Sequence, residues 1–289
     1  MASPGVDHVI LTRFNLPTNG IEGLIRARDG WLTERAELFE TYTLPSVTEQ
    51  TKRPSWLVYF DPQSPAWLMD RIQPWRELGV FTAVFRTSVG TDDLRQDLAK
   101  HGAREHDVLL TTNLDNDDGL AVDFCERLSD VKHQWPRSVI YWPSGLIRRG
   151  PDLYLRSDRR NAFPSVLESW DDPVTSWSEY HNEFPKVMPV TQVKAPPGWL
   201  QVVHGANVSN RVRGRIVPST EYRDRFGGRL DGVRDPRKIE VVGDALVGYP
   251  VRTARDTLRS AARVVGLRVL GKEQYQTAKA KLATFRRHR

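Results

Sequence analysis

The sequence predicts an α/β fold: a mostly parallel central sheet with flanking helices, followed by a C-terminal helical tail. Three observations carry this reading. Short apolar runs alternate with helix-period segments over roughly the first 130 residues, which is the pattern of βαβ units. The runs are continuous rather than alternating, as expected of strands covered on both faces. The last of them, Val108 to Thr112, drops into a knot of acidic and amide side chains: Asn113, Asp115, Asn116, Asp117 and Asp118. That is the end of a strand at which open α/β sheets place their ligands.

Taken in order, His8 to Thr12 reads as the first buried strand. Trp31 to Tyr42 reads as a helix with Leu32, Arg35, Ala36, Phe39 and Thr43 at helix spacing. Pro45 lies just beyond its end, because proline lacks the N–H that a helix interior needs. Trp56 to Phe60 is a second strand ending at Asp61, and Pro62 and Pro65 mark the turn after it. Ala66 to Leu78 is a helix, Phe81 to Arg86 a third strand, and Asp92 to His101 another helix. After Val108 to Thr112 a helix is expected from near Leu120 through Leu128, with Asp118 as its cap. Val139 to Trp142 and Leu153 to Arg156 read as a hairpin joined through Arg148, Arg149 and Gly150. Residues 163 to 200, rich in Pro, Trp and Asp, read as loops shaping a cleft. Trp199 to Val203 is a further strand, running into His204-Gly205-Ala206-Asn207.

Composition bounds the function. At 289 residues the chain can bury a sizeable core, and 39% hydrophobic content with nine Trp, eight Tyr and ten Phe excludes a wholly disordered chain. Cys125 is the only cysteine, which excludes an intramolecular disulfide and a Cys-rich zinc site and fits a reducing compartment. Helix packing is its expected role. The opening residues MASPGVDHVILTRFN lack the basic start and apolar length of a signal peptide. No segment reaches the roughly 20 apolar residues of a membrane span. The expectation is a cytoplasmic protein, or one peripheral at the inner face of the cell membrane.

Charge separates a domain, residues 1–250, from a tail, residues 251–289. The tail holds eleven Arg or Lys against two acids, a net of +9, while the whole chain is +6 and the first 250 residues are −3. The alkaline character therefore belongs to the tail, and it gives no case for nucleic acid as a partner. Two short helices are expected in the tail. The first carries the apolar stripe Leu258, Ala261, Ala262, Val265 and Val269, with Arg252, Arg255, Arg259 and Arg263 on another face; the second carries Tyr275, Ala278, Leu282 and Phe285. Such helices fit adhesion to an anionic membrane surface, or packing against the domain or a second subunit.

Three strand ends converge in such a sheet: Thr12-Arg13-Phe14-Asn15, Asp61, and Asn113 to Asp118. A nucleotide would lie there. Neither of the usual glycine-rich phosphate cradles is present, so phosphate needs another device. Carboxylates this crowded repel one another, and Asp115 and Asp117 share a parity, so both can face one divalent ion. The competing reading is a solvated Asx-rich turn.

LTRFNL (11 to 16), WLTERAELFETYTLPSVTEQT (31 to 51), TTNLDNDDGL (111 to 120) and WLQVVHGANVSNR (199 to 211) resemble the rhamnosyltransferase family of bacterial glycosyltransferases over residues 8 to 212. The resemblance implies a GT-A-like (Rossmann-like) fold, a nucleotide-sugar donor, and the Asp-x-Asp signature at Asp115-Asn116-Asp117. It implies Asp115, Asp117 and His204 as ligands of Mg²⁺ or Mn²⁺. It further implies Asp61 on the nucleotide, with Thr12, Arg13 and Asn113 lining its pocket and Arg86 reaching the base or a phosphate. An inverting transferase also needs a carboxylate base. Glu168, Asp171, Asp172, Glu179 and Glu183 are candidates, and Glu168 is favoured as a side chain projecting from a helix into the cleft. His181 is placed at the acceptor or a phosphate.

By this resemblance the donor is dTDP-rhamnose and the acceptor a cell-envelope glycan or glycolipid, although no residue distinguishes rhamnose from another sugar. Three rivals remain open. LLTTNLDNDDGL also resembles the nucleophile motif of haloacid-dehalogenase phosphatases. A calcium loop running from Asp115 to Glu126 is the second. The third is a membrane-associated sugar-binding module without turnover.

Overall fold

The computed structural model describes residues 5–17, 29–132, 134–204 and 211–258. Two sheets organise them. The first has seven strands in the order β10-β6-β9-β4-β1-β2-β3. Its parallel centre is β1 (Val6–Arg13), β2 (Ser55–Phe60), β3 (Thr82–Phe85) and β4 (Val108–Asn113). The centres of β1, β2 and β4 are apolar because both faces are covered, and the polar side chains among them, such as His8 and Thr112, are buried and bonded to each other. Val9, Ile10 and Leu11 are fully buried, as are Leu57, Val58, Leu109 and Leu110. Helix α2 (Ala66–Glu77) makes the crossover between the neighbours β2 and β3, and α3 (Thr91–His101) carries the chain back from β3 across the sheet to β4 on the far side of β1. These elements match the sequence-based expectation within a few residues.

Between β4 and β6 (Ser138–Tyr141) lies β9 (Ser165–Ser169), antiparallel to both, and β10 (Val190–Gln192) closes that edge. Two strands, β9 and β10, therefore stand within the stretch expected to be loops. The second sheet has the order β12-β8-β7-β11-β5. Its hairpin joins β7 (Ser144–Arg149) to β8 (Asp152–Ser157), not residues 139–142 to 153–156: Ser138–Tyr141 belongs to the first sheet, and the extra strand Ser144–Arg149 follows it at once. Strands β11 (Trp199–Val202), β5 (Gly119–Leu120) and β12 (Arg215–Ile216) complete it.

Two helix expectations are corrected. Helix α1 (Trp31–Leu38) does not stop before Pro45; it continues as a π-helical turn (Phe39–Thr43) and a last helical turn (Leu44–Thr48). Pro45 has no N–H to offer, and the wider turn, in which Leu44 N–H donates to Phe39 O, accommodates its ring. The helix expected from Leu120 starts later, as α4 (Phe124–Ser129), because Gly119 and Leu120 pair with Leu200 and Trp199. Asp118 is therefore no helix cap. Cys125 packs fully buried on α4, as expected, and burial pushes its thiol well above the usual range.

The chain then forms α5 (Arg223–Phe226) and α6 (Lys238–Gly243), the latter running through a π turn (Asp244–Gly248) to residue 258. The boundary expected at residue 250 thus falls inside a helix. Asp244 accepts the Ile216 N–H at 2.9 Å, and Arg252 donates to Gly214 O at 2.9 Å, fastening this helix to β12. The tail beyond residue 258, with its two expected stripes, lies outside the described residues. No described helix is long and apolar enough to cross a membrane.

Gly214 is where backbone shape is most demanding. Its φ is +85°, and a Cβ there would stand 2.1 Å from Leu155 O, a backbone atom that cannot swing aside. Gly214→Ala is expected to cost more than about 1 and up to about 3 kcal/mol. A urea denaturation midpoint checks it; an unchanged midpoint would refute the strain.

Candidate active site

The acidic loop is built by long-range ties. As β4 ends, Leu114 N–H still donates to Leu11 O, so the chain leaves the sheet beside β1. Asn116 then turns inward, donating to Phe14 O and accepting from Arg35 Nη1 at 3.1 Å. Thr43, presented by the π turn, donates to Asp118 O at 2.8 Å. Asp118 Oδ1 accepts the Val202 N–H at 2.8 Å, which joins the loop to the second sheet and sets His204 just beyond it.

Asp117 is the centre of the cluster. Its Oδ2 lies 2.5 Å from Arg35 Nη1 and 2.9 Å from His204 Nε2, and its side chain is almost fully buried. Burial opposes its ionisation, yet the His204 hydrogen bond and the Arg35 charge outweigh that and hold the carboxyl below the usual range. On its other ring nitrogen, His204 faces Glu34, with Nδ1 3.4 Å from Oε1. Asp118 is fully buried and its Oδ2 has no partner; burial first, then the Asp117 and Asp115 charges, push it well above the usual range. Asp115 opens to the cleft, where withdrawal from water and the Asp117 charge push it up to about 6.

Toward a cation the loop offers Asp115 at the cavity, with Asp117 and His204 paired behind it. The Arg35 guanidinium is already committed to Asp117, and Asp118 keeps an orphaned oxygen. His204 stands between two carboxylates, Glu34 at Nδ1 and Asp117 at Nε2, so to ligate an ion Nε2 would exchange its Asp117 contact while Glu34 orients the ring. Among the described residues no three His, Cys, Asp or Glu side chains are placed to hold a metal ion together. Mg²⁺-like ions do not require three such side chains, since they bind through one or two carboxylates with water and substrate phosphates.

Asp115 opens into a cavity of about 440 Å³ between the two sheets. Arg13 and Asn113 line the same wall, at the carboxyl ends of β1 and β4. Arg13 sits over the Trp177 ring at 4.1 Å, and Trp177 Nε1 donates to Asn113 Oδ1 at 2.8 Å. The second sheet and the turn after β8 contribute Arg156, Asp158, Trp199 and Gln201 to the cavity lining, and Glu179, Tyr180 and His181 line it as well.

A family model described as "Putative rhamnosyl transferase" matches residues 7–216, well over half of the chain. The chain belongs to that family. The match runs from β1 to β12 and takes in both sheets and the acidic loop. No curated protein matches the sequence. Among solved structures, this rhamnosyl transferase family member is similar to S. aureus TarS (residues 1–349), at 8% identity and TM-score 0.40, over 68% of this chain and 60% of that one. It is also similar to the inositol-1-phosphate CTP transferase from T. maritima, at 10% identity and TM-score 0.41, over 80% and 99%. HddC from Yersinia pseudotuberculosis aligns at 8% identity and TM-score 0.35, over 68% and 89%. The chain thus spans about 60% of the length of the TarS chain it matches.

Of the residues expected at the site, the structure brings together Arg13, Asn113 and Asp115 on the cavity wall and Asp117 and His204 beneath it. The others lie elsewhere. Thr12 is fully buried in the core, accepting from Trp56 Nε1 at 3.0 Å. Arg86 is locked to Asp97 at 2.8 Å and Asp93 at 2.7 Å, binding α3 to the end of β3. Asp61 closes its own turn by accepting the Gln63 N–H at 2.8 Å. Glu168 projects from no helix: it is 1% exposed in β9, with Oε2 accepting from Arg137 and Val174 and Oε1 from Thr175. Glu126, the twelfth position of the calcium-loop alternative, accepts from Thr51 on α4 instead. Sequence reading passed over Arg35 as a partner of the loop. Its signal was available: an arginine on the apolar stripe of a helix needs a buried acid.

The Asp115 shift has a pH consequence. Its carboxyl ionises near 6 when folded against 3.8 as an ordinary side chain, so the native state binds more protons between those values. Folding stability contributed by this group is therefore lost as pH rises from about 4 to 6. Asp115→Asn should flatten that fall in Tm; identical pH profiles for the two proteins would contradict the raised ionisation of this carboxyl.

Proposed function

We propose that the cleft binds a nucleoside-diphosphate sugar and transfers its sugar, with inversion, to an acceptor hydroxyl. The donor is dTDP-rhamnose and the acceptor a cell-envelope glycan or glycolipid. The observation that carries the reading is the acidic loop at the end of β4, with Asp115 open to a cavity that Arg13 and Asn113 also line. Family membership supports rhamnose as the sugar. Mg²⁺ or Mn²⁺ would be held by Asp115, Asp117 and His204 and would stabilise the departing diphosphate as a Lewis acid.

The protein's own groups do the rest. Arg13, steadied over Trp177, offers its guanidinium to the donor phosphates. Arg35 and Asn116 hold the loop at fixed depth, so the charges are oriented before substrate arrives. Glu179 takes the role that the sequence suggested for Glu168. It accepts the proton of the acceptor hydroxyl as that oxygen bonds to the anomeric carbon and the bond to diphosphate breaks on the opposite face. The basic tail would hold this cytoplasmic enzyme at the inner, anionic face of the membrane.

Incubation of the full chain with UDP-, dTDP- and GDP-sugars, Mn²⁺ and envelope lipids tests the proposal. Release of dTDP from dTDP-rhamnose, stopped by EDTA, is the expected result. Tight nucleotide binding without release from any donor would instead make the protein a sugar-binding module.

A further inference from the structure

The part of the cavity lining that comes from β8 and from the segment before β12 has no task in that reading, yet it is rich in arginine. Arg156 on β8, with Arg211 and Arg213 in the segment before β12, faces the same cavity. Arg156 Nε is buried without a partner, and its Nη2 lies a loose 3.3 Å from Asp158. Arg213 uses Nε on Asp256 at 3.0 Å, and Arg211 makes no ion pair among the described residues. Withdrawal from water, opposed by Asp158 and aided by Arg213, holds His181 below its usual range, so the arginines supply the positive charge here.

Asp158 and Asp256 each meet one of these guanidiniums through a single nitrogen, which leaves further N–H donors of Arg156 and Arg213, with those of Arg211, for an anion in the cavity. Planar guanidinium forks match phosphate oxygens in pairs. The donor diphosphate already has a place where Arg13 and the acidic loop meet. The arginines instead share the cavity lining with Glu179 and His181, two residues apart in the chain.

We propose that Arg156, Arg211 and Arg213 form an acceptor subsite for a phosphate group. The hydroxyl that receives the sugar then belongs to a phosphate-bearing glycan or a lipid-linked sugar phosphate. This rests on the transferase reading above, and its test separates the two.

The full chain is assayed with its donor on two acceptors, an octyl glycoside and the corresponding octyl glycosyl phosphate. Binding of inorganic phosphate is measured by titration calorimetry alongside. The phosphate-bearing acceptor should be favoured in kcat/KM by about tenfold or more, the value of one charge-assisted contact. Arg156→Gln and Arg211→Gln should each raise KM for that acceptor by a similar factor, leave KM for the donor within about twofold, and weaken inorganic phosphate binding. Turnover with equal use of the two acceptors overturns the subsite alone. A rise in donor KM matching that for acceptor assigns the arginines to the donor and also overturns it. Intact phosphate binding with no turnover of any donor removes the transferase reading, and the acceptor assignment with it.

Discussion

Asp117→Ala is expected to lower nucleoside-diphosphate release by about 10²- to 10³-fold, the usual cost of removing one preorganised charge from a reaction centre. It should also destabilise the protein. Arg35, itself 8% exposed, would lose the carboxylate 2.5 Å away and keep only Asn116 as a polar partner from the loop. Breaking a buried pair from one side costs about 3–5 kcal/mol, and the surviving Asn116 bond favours the lower end. The pH sign is fixed by the lowered carboxyl: its stability is present above the ordinary carboxylate range and is lost as acid protonates it. Donor turnover, with circular dichroism to confirm folding and urea titration at two pH values, reads all three effects. Turnover within about threefold of the parent would remove Asp117 from the mechanism.

Trp142→Ala is expected to cost about 3–5 kcal/mol, the range for deleting a large buried aromatic. Trp142 is 1% exposed and stands where the chain passes from β6 in the first sheet to β7 in the second. Its ring stacks on Phe124 at 5.4 Å, and its Nε1 donates to Pro196 O at 2.8 Å. Its carbonyl accepts from Trp199 Nε1 at 2.7 Å and Asn161 Nδ2 at 2.9 Å, two residues that line the cavity. Alanine keeps those carbonyl bonds but loses the ring, its stack on Phe124 and its bond to Pro196, which loosens the join between the sheets. Trp67, 40% exposed on α2, is the control, and Trp67→Ala should lower the unfolding free energy from urea titration by less than about 1 kcal/mol. Equal shifts for the two tryptophans would contradict the packing described.

How much was legible in the sequence follows from where each residue's partners lie. Strands β1, β2 and β4 were readable because burial on both faces writes itself as an unbroken apolar run. Strand β9 was not, because Glu168 interrupts the run, and its compensating Arg137 comes from 31 residues away. The helix end at Pro45 was misplaced because a π turn absorbs the proline, and no local pattern announces that. In the site, Asp115 and Asp117 declared themselves by crowding, and His204 by its strand end. Arg86 and Asp61 also stand at strand ends, but the nearby Asp93, Asp97 and Gln63 had already claimed their polar atoms. The loop's supports, Arg35 and Thr43, lie 81 and 75 residues from their partners and become visible only once the chain is folded.

The central claim is that the acidic loop and cavity form the donor site. Calorimetric titration of the full chain with dTDP and Mn²⁺, beside Asp115→Asn, tests it most directly, because Asp115 reaches the cavity without carrying the buried ion pair. The account predicts metal-enhanced binding by the parent, weakened about tenfold or more in the variant. Equal affinity in the two proteins, or binding indifferent to Mn²⁺, would contradict it.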